Sequence, residues 1–329
     1  MRNDLRNSKV LVTPTSFGKG DTALKRALEE AVGEVVYNPL ERPLTPSELL
    51  PLIKDVDGYI AGLDQIDRHV IQAAERLKVI ARYGVGVDRV DVPSATAKGI
   101  VVTNTPGANS AAVAELTIGL MLALGRSICT ADLATRCGEW PRISGVGLQG
   151  KNVGLVGFGA VGRAVASRLR GFGCRILVTD PRVSCETVKA AGVELVGVEE
   201  LLALSDFVAL HASLQPDTAG MVNRAFLFGM KRGAFLVNTA RGELVDEAAL
   251  KEAIEKGHLR GAALDCFSQE PPPPDHPFFR MPQVLVTPHM ASHTDEAVNT
   301  MGRMSLEACL AVLLGERYPH TVNPEVYRR

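Results

Sequence analysis

The run Val153-Gly154-Leu155-Val156-Gly157-Phe158-Gly159-Ala160-Val161-Gly162 constrains this chain more than any other. An apolar stretch stops at Gly157, and an Ala-rich helical pattern starts near Ala160. The three glycines form Gly157-x-Gly159-x-x-Gly162. Between a strand and a helix, the first permits a tight turn and the second lets backbone approach a diphosphate. The third permits close helix–strand packing. The free N–H groups and dipole of the helix start favour negative charge beside Ala160 and Val161. The next apolar run, 175–179, ends at Asp180, close to the spacing of about 20 residues at which an acid takes ribose hydroxyls. A carboxylate there repels a 2′-phosphate, so NAD is expected rather than NADP.

The rest of the chain repeats strand, then helix. Apolar runs at 9–13, 34–37, 57–61, 78–83 and 100–103 predict strands, with helical patterns such as 21–31 between them. Thr45-Pro46-Ser47-Glu48 has the capping residue, first-turn Pro and third-position Glu of a helix start. One long helix is expected over 110–128. After a Gly-punctuated stretch the alternation resumes, with strands at 152–157, 175–179, 207–210, 234–238, 261–264 and 284–287. A last long helix follows over 294–314. Alternation of this kind implies an α/β protein with doubly wound parallel sheets covered on both faces.

Composition narrows the function classes. A length of 329 residues suits about two domains. A net charge of −1 gives no field that would gather nucleic acid or an anionic membrane. The longest apolar candidate, 111–124, is interrupted by Glu115 and is too short to span a bilayer. The polar start, Met1-Arg2-Asn3-Asp4, has no apolar leader. The six cysteines lack Cys-x-x-Cys spacing, so free thiols in a reducing cytoplasm are expected, with no metal site.

Three charged residues follow expected strand ends in the second half: Arg241, Glu270 and His289. In an open α/β sheet, ligands bind beyond the carboxyl ends of the strands. A guanidinium offers a planar fork to a carboxylate. An imidazole exchanges a proton with a carbinol oxygen near neutral pH, and a carboxylate behind it fixes its tautomer. The trio therefore suits hydride transfer at a 2-oxo acid. His276 and His293 flank the site as rivals to His289, and His211, at a strand end, is placed to line the cofactor groove. Trp140 is read as a core residue.

These residues stand in motifs that resemble the D-isomer-specific 2-hydroxyacid dehydrogenase family, most of all its short-type D-3-phosphoglycerate dehydrogenases. The motifs are Arg82-Tyr83-Gly84-Val85-Gly86-Val87-Asp88, Asn104-Thr105-Pro106-Gly107-Ala108-Asn109-Ser110, the glycine loop, Leu210-His211-Ala212-Ser213-Leu214, Asn238-Thr239-Ala240-Arg241-Gly242, Leu264-Asp265-Cys266-Phe267 with Glu270-Pro271, and Thr287-Pro288-His289. They cover nearly the whole chain. The resemblance implies a flavodoxin-like catalytic, substrate-binding domain of residues 1–103 and 293–329, and a Rossmann-type NAD-binding domain of residues 104–292.

It also implies roles. Arg241, Glu270 and His289 would be catalytic, and backbone at Val85 and Gly86 would join Arg241 in holding the substrate carboxylate. Ala160 and Val161 would face the diphosphate, and Ala212 and Thr239 would line the groove. Asp265 would contact the nicotinamide carboxamide, with Ser292 in the segment closing over the ring. A homodimer is implied, with the helix after Asn109 near its interface and Trp140 in that region, as the alternative to its reading as a core residue.

The expected activity is NAD-dependent interconversion of a D-2-hydroxy acid and its 2-oxo acid, with 3-phosphoglycerate the first substrate to try. The resemblance places a phosphate-binding Arg at the end of strand 57–61, and Tyr59-Ile60-Ala61-Gly62-Leu63 has none. Glyoxylate or hydroxypyruvate reduction is the alternative. A non-catalytic NAD(H)-sensing protein, like the corepressors of this fold, is the alternative from another class.

Overall fold

The short apolar runs of the N-terminal part assemble into one parallel sheet. In the computed structural model, which describes residues 5–328, they alternate with helices. The elements are β1 (Lys9–Val12), α1 (Thr22–Ala31), β2 (Glu34–Tyr37), α2 (Pro46–Ile53), β3 (Gly58–Ala61), α3 (Arg68–Ala73), β4 (Val79–Arg82), α4 (Val92–Ala97) and β5 (Val101–Thr103). The strand order is β2-β1-β3-β4-β5, with every pairing parallel. Both faces are buried, so each strand splits its side chains between two cores. Val10 and Val12 enter one with Leu28 and Ile60, while Leu11 enters the other with Tyr59 and Ile80. Helix starts are set locally. Asp21, Asp67 and Asp91 each accept a backbone N–H from the first turn they cap.

A second sheet follows. Its elements are α5 (Ser110–Gly125), α6 (Ile128–Arg136), β6 (Asn152–Val156), α7 (Ala160–Leu169), β7 (Arg175–Thr179), α8 (Cys185–Ala190), β8 (Glu194–Leu195), α9 (Val198–Leu204), β9 (Phe207–Leu210), α10 (Arg224–Gly229), β10 (Phe235–Asn238), α11 (Glu247–Glu255), β11 (Gly261–Leu264) and β12 (Val284–Val286). The order is β12-β11-β10-β9-β6-β7-β8, again parallel throughout. Strand order reverses between β6 and β9, which is where a doubly wound sheet opens a crevice for ligands. The chain then ends with α12 (Asp295–Leu313), whose Val298, Met301 and Cys309 complete a core of the first sheet.

The chain divides into two units. One holds the residues up to Asn109 and from His293 onward, the other Ser110–Ser292. The first division falls later than the expected 103/104. Asn104 and Thr105 remain tied to the first unit, through bonds from Asn104 N–H to His320 and from Thr105 N–H to Gly84.

Two expectations need correction. The helix expected over 110–128 breaks after Gly125. Val146 N–H takes the Gly125 carbonyl at 2.6 Å, which ends the helical ladder, and Ser127 turns left-handed at φ 53. α6 then leaves at 61°. Only glycine fits at 125, because a Cβ there would lie 2.6 Å from the Val146 oxygen. Trp140 is not a core residue. It is 83% exposed and follows α6, which buries none of its residues. The two-residue β8 was not foreseen, being too short to show periodicity. Among the described residues no single helix is long and apolar enough to cross a membrane.

Candidate active site

The glycine loop lies at the end of β6, on one side of the reversal point, and His211-Ala212 lies at the end of β9 on the other. Gly157 has φ 99, and a Cβ there would come within 2.7 Å of the His211 backbone. A Cβ at Gly162 would lie 2.3 Å from the Gly157 oxygen, so α7 sits hard against the loop. Gly159, the cap of α7, faces open space, since a Cβ there would meet nothing within 4 Å. The loop is thus packed behind and open in front, where the α7 amides begin. Asp180 braces it: one carboxylate oxygen accepts Phe158 N–H at 2.7 Å and the other accepts Arg182 N–H at 2.8 Å. Each oxygen keeps a second lone pair.

Beside the loop, both ring nitrogens of His211 are buried without a hydrogen-bond partner among the described residues. Burial pushes this imidazole down to about 4, so it is neutral at pH 7. An open cradle of amides, a bracing carboxylate with spare acceptors and an orphaned polar ring fit a dinucleotide better than they fit a closed core.

Sheet register gathers the second group. Asn238 pairs with Leu264, and Leu264 with Val286, so the residues that follow, Thr239, Asp265 and Thr287, emerge side by side. Buried Asn238 shapes its own turn, accepting Ala240 N–H at 3.0 Å and donating to the Arg241 carbonyl at 2.7 Å. Thr117 gives its proton to the Val113 carbonyl, which leaves Thr239 to donate to Thr117 across 2.8 Å. Asp265 is 1% exposed and turns its carboxylate into the next loop. It accepts Thr287 O–H at 2.6 Å and the N–H groups of Met290 and Ala291 at 2.9 Å. Its carbonyl also accepts His289 N–H at 2.8 Å. This web holds His289 left-handed, at φ 50, a strained state for a residue with a side chain.

The outcome is an imidazole backed by a carboxylate. His289 Nδ1 lies 2.8 and 2.9 Å from the two oxygens of Glu270. An ionised carboxylate only accepts, so Nδ1 carries the proton and Nε2 is left to face a reactant. The two side chains are 21% and 13% exposed. Glu270 is held in turn by Phe267 N–H at 3.1 Å. Half-buried Arg241 anchors one nitrogen on the Ala240 carbonyl at 2.7 Å. Glycine at 242 lets the two loops touch, because a Cβ there would lie 1.9 Å from the Phe267 carbonyl carbon.

The first unit presents a separate feature at residues 84–86. Gly84, at φ 149, has its carbonyl held by Thr105 N–H, Val85 by the Asn104 amide and Gly86 by buried Arg82. Every carbonyl of the turn is pulled back. The amides of Val85 and Gly86 have no acceptor among the described residues, an arrangement suited to an anion. At the neighbouring end of β3 lies Asp64, 1% exposed, accepting from Thr13, Tyr59, Gly62 and Leu44.

Of the rival histidines, His276 is committed elsewhere. Its Nε2 bonds Glu247 at 3.0 Å, and the ring lies among Phe267, Phe278 and Phe279. His293 is exposed and belongs to the first unit. Ala212 and Ser292 are half-buried. Cys266 is no nucleophile, since burial pushes its thiol well above the ordinary range. Sequence reasoning missed Glu247 and Asp64, which join residues distant in the chain, and the part Asn238 plays in shaping its own turn.

Residues 118–291 match the family described as D-isomer specific 2-hydroxyacid dehydrogenase, NAD binding domain. The chain is 43% identical over 310 residues to a glyoxylate reductase of Thermofilum pendens, covering 92% of this chain and 91% of the relative. It is 44% identical over 319 residues to a D-3-phosphoglycerate dehydrogenase of Methanocaldococcus jannaschii, covering 96% of this chain but 59% of that relative. The solved structure of a glyoxylate reductase from Paecilomyes thermophila superimposes with a TM-score of 0.83 at 30% identity, covering 97% of this chain and 99% of that one.

Proposed function

This chain belongs to the D-isomer specific 2-hydroxyacid dehydrogenase family, and on that footing we propose that it reduces a short, unphosphorylated 2-oxo acid of the glyoxylate or hydroxypyruvate type to its 2-hydroxy acid, the D isomer where the product is chiral. The observation that carries the reaction is the Glu270–His289 pair, with Nδ1 committed and Nε2 left to exchange a proton. NAD supplies the hydride donor and acceptor when bound. The glycine loop, the α7 amides and Asp180 are assigned to its diphosphate and ribose. Arg241 pairs with the substrate carboxylate, and its planar fork polarises the adjacent carbonyl. Within the first unit, the Val85 and Gly86 amides offer N–H donors to an anion. In its doubly protonated form His289 would give its Nε2 proton to the carbonyl oxygen as that oxygen gains charge, and Glu270 would steady the ring through the transfer. The first unit is proposed as the substrate-binding domain and the second as the NAD-binding domain.

The choice of substrate rests on the end of β3. Its neighbouring charge is a buried carboxylate, Asp64, and the Arg82 guanidinium is turned onto the carbonyls of Ala61, Gly62 and Gly86. That is a poor setting for a phosphate dianion. Identity to the phosphoglycerate dehydrogenase favours the second reading, 3-phosphohydroxypyruvate. NADH oxidation with glyoxylate, hydroxypyruvate and 3-phosphohydroxypyruvate separates them. The expected kcat/KM is highest for an unphosphorylated acid, and a tenfold preference for the phosphorylated one overturns the assignment. H289A should lose nearly all turnover on any of these acids while still binding NADH.

Two further assignments complete the reading. Ile128, Leu133, Trp140 and Ile143 are exposed apolar residues on and after α6. A second copy of this chain is proposed to cover them in a homodimer. All six cysteines are unpaired, which suits a cytoplasmic enzyme.

A further inference from the structure

Two consecutive amides in the loop after β11 are claimed by two different carboxylates. Phe267 N–H donates to Glu270 at 3.1 Å, and Ser268 N–H donates to Glu247 at 3.0 Å. Glu247 is the first residue of α11, where the helix dipole favours a negative charge. Its second oxygen bonds His276 Nε2 at 3.0 Å. His276 Nδ1 accepts Phe278 N–H at 3.4 Å, so its proton sits on Nε2 and points at Glu247. Three phenylalanine rings, with centroids 5.2–5.5 Å away, fix the imidazole plane. A second His–Glu pair therefore stands behind the one that faces the reactant, and both grip the same two-residue stretch.

We propose that Glu247 and His276 are positioning residues that set Glu270 against His289. The inference rests on the assignment of that pair as the acid–base group. Glu270 lies two residues beyond Ser268, on a loop that crosses Gly242 with no slack. Its carboxylate is also tied to the Phe267 amide. Rotation of the Phe267–Ser268 segment carries that amide with it and shifts the carboxylate behind the imidazole. Glu247 opposes the rotation from a helix end, and His276 holds the Glu247 carboxylate against Ser268 by bonding its other oxygen. Neither residue touches a reacting atom, so their effect should fall on turnover rather than on cofactor affinity.

The test compares E247A, E247Q and H289A as purified full-length proteins, using NADH with glyoxylate and with hydroxypyruvate. In E247A, kcat is expected to fall by about ten- to a hundredfold, the scale of a misplacement near 1 Å. The NADH dissociation constant should stay within about twofold. E247Q should recover part of the loss. Its amide oxygen still accepts Ser268 N–H, but its NH₂ group then faces the His276 proton. A wild-type kcat in E247A, beside an inactive H289A, overturns this inference alone. A fall in kcat matched by lost NADH binding or by unfolding at the assay temperature overturns it too, by making the role merely structural. Full activity in H289A overturns the assignment of the pair itself.

Discussion

Replacing Gly242 by Ala tests how tightly the proposed acid–base pair, Glu270 and His289, depends on backbone contact. The added Cβ would lie 1.9 Å from the Phe267 carbonyl carbon, 2.2 Å from its oxygen and 2.3 Å from Ser268 N. Ordinary contact begins near 3.4 Å, so one loop must retreat by about 1.5 Å. The obstacle is backbone on both sides, and no side-chain rotation relieves it. The retreating segment carries Glu270, and the opposing one carries Arg241. A misplacement of about 1 Å at a reacting centre costs on the order of 100-fold in rate. G242A should therefore lose at least about 100-fold in kcat, which corresponds to about 2.7 kcal/mol of barrier. Overpacking should also cost about 1–3 kcal/mol of stability, leaving a folded protein with a lowered melting temperature. The glycine loop is on another strand, so NADH affinity should survive. The assay is steady-state NADH oxidation, with fluorescence titration of NADH and a thermal melt on the same sample. A folded G242A with kcat within about threefold of wild type would refute the claim that this contact sets the pair.

Other outcomes follow from the same geometry. His211 is depressed to about 4 by burial, against an ordinary 6.5, so below pH 6.5 the unfolded chain takes up a proton that the folded ring refuses. Stability should fall from pH 6.5 towards 4 by about 2–3 kcal/mol from this group. Urea unfolding at pH 7 and 4.5 should show that loss in wild type and not in H211F; equal losses would exclude His211 as the cause. G157A combines φ 99 with a 2.7 Å approach to the His211 backbone, and should weaken NADH binding by about tenfold or more by fluorescence titration. R241K keeps the charge but loses the fork, so KM for the 2-oxo acid should rise at least about tenfold. L133R, on the exposed face of α6, should give a monomer by light scattering if that face joins two copies.

The glycine loop, the alternation of strand and helix, and the helix caps were legible in the sequence because each is a local matter. A Gly-x-Gly-x-x-Gly turn needs no distant partner to be recognised, and Thr45 caps the helix that directly follows it. Apolar runs announce parallel strands because both of their faces are buried. The residues proposed as acid, base and carboxylate partner were visible as types at strand ends, and a motif resemblance pointed to them.

Tertiary structure decided what those residues do for one another. Helix 110–128 broke because residue 146 captures a carbonyl from residue 125, a contact no helical period announces. Trp140 proved exposed because burial depends on what packs above a residue, not on its own hydrophobicity. Asp265 braces the His289 loop through three donors, and Glu247 meets His276 across 29 positions. Chemistry of residue types is written along the chain. Distance between them is set by sheet register, which brings Thr239, Asp265 and Thr287 abreast, and by close backbone packing at Gly242.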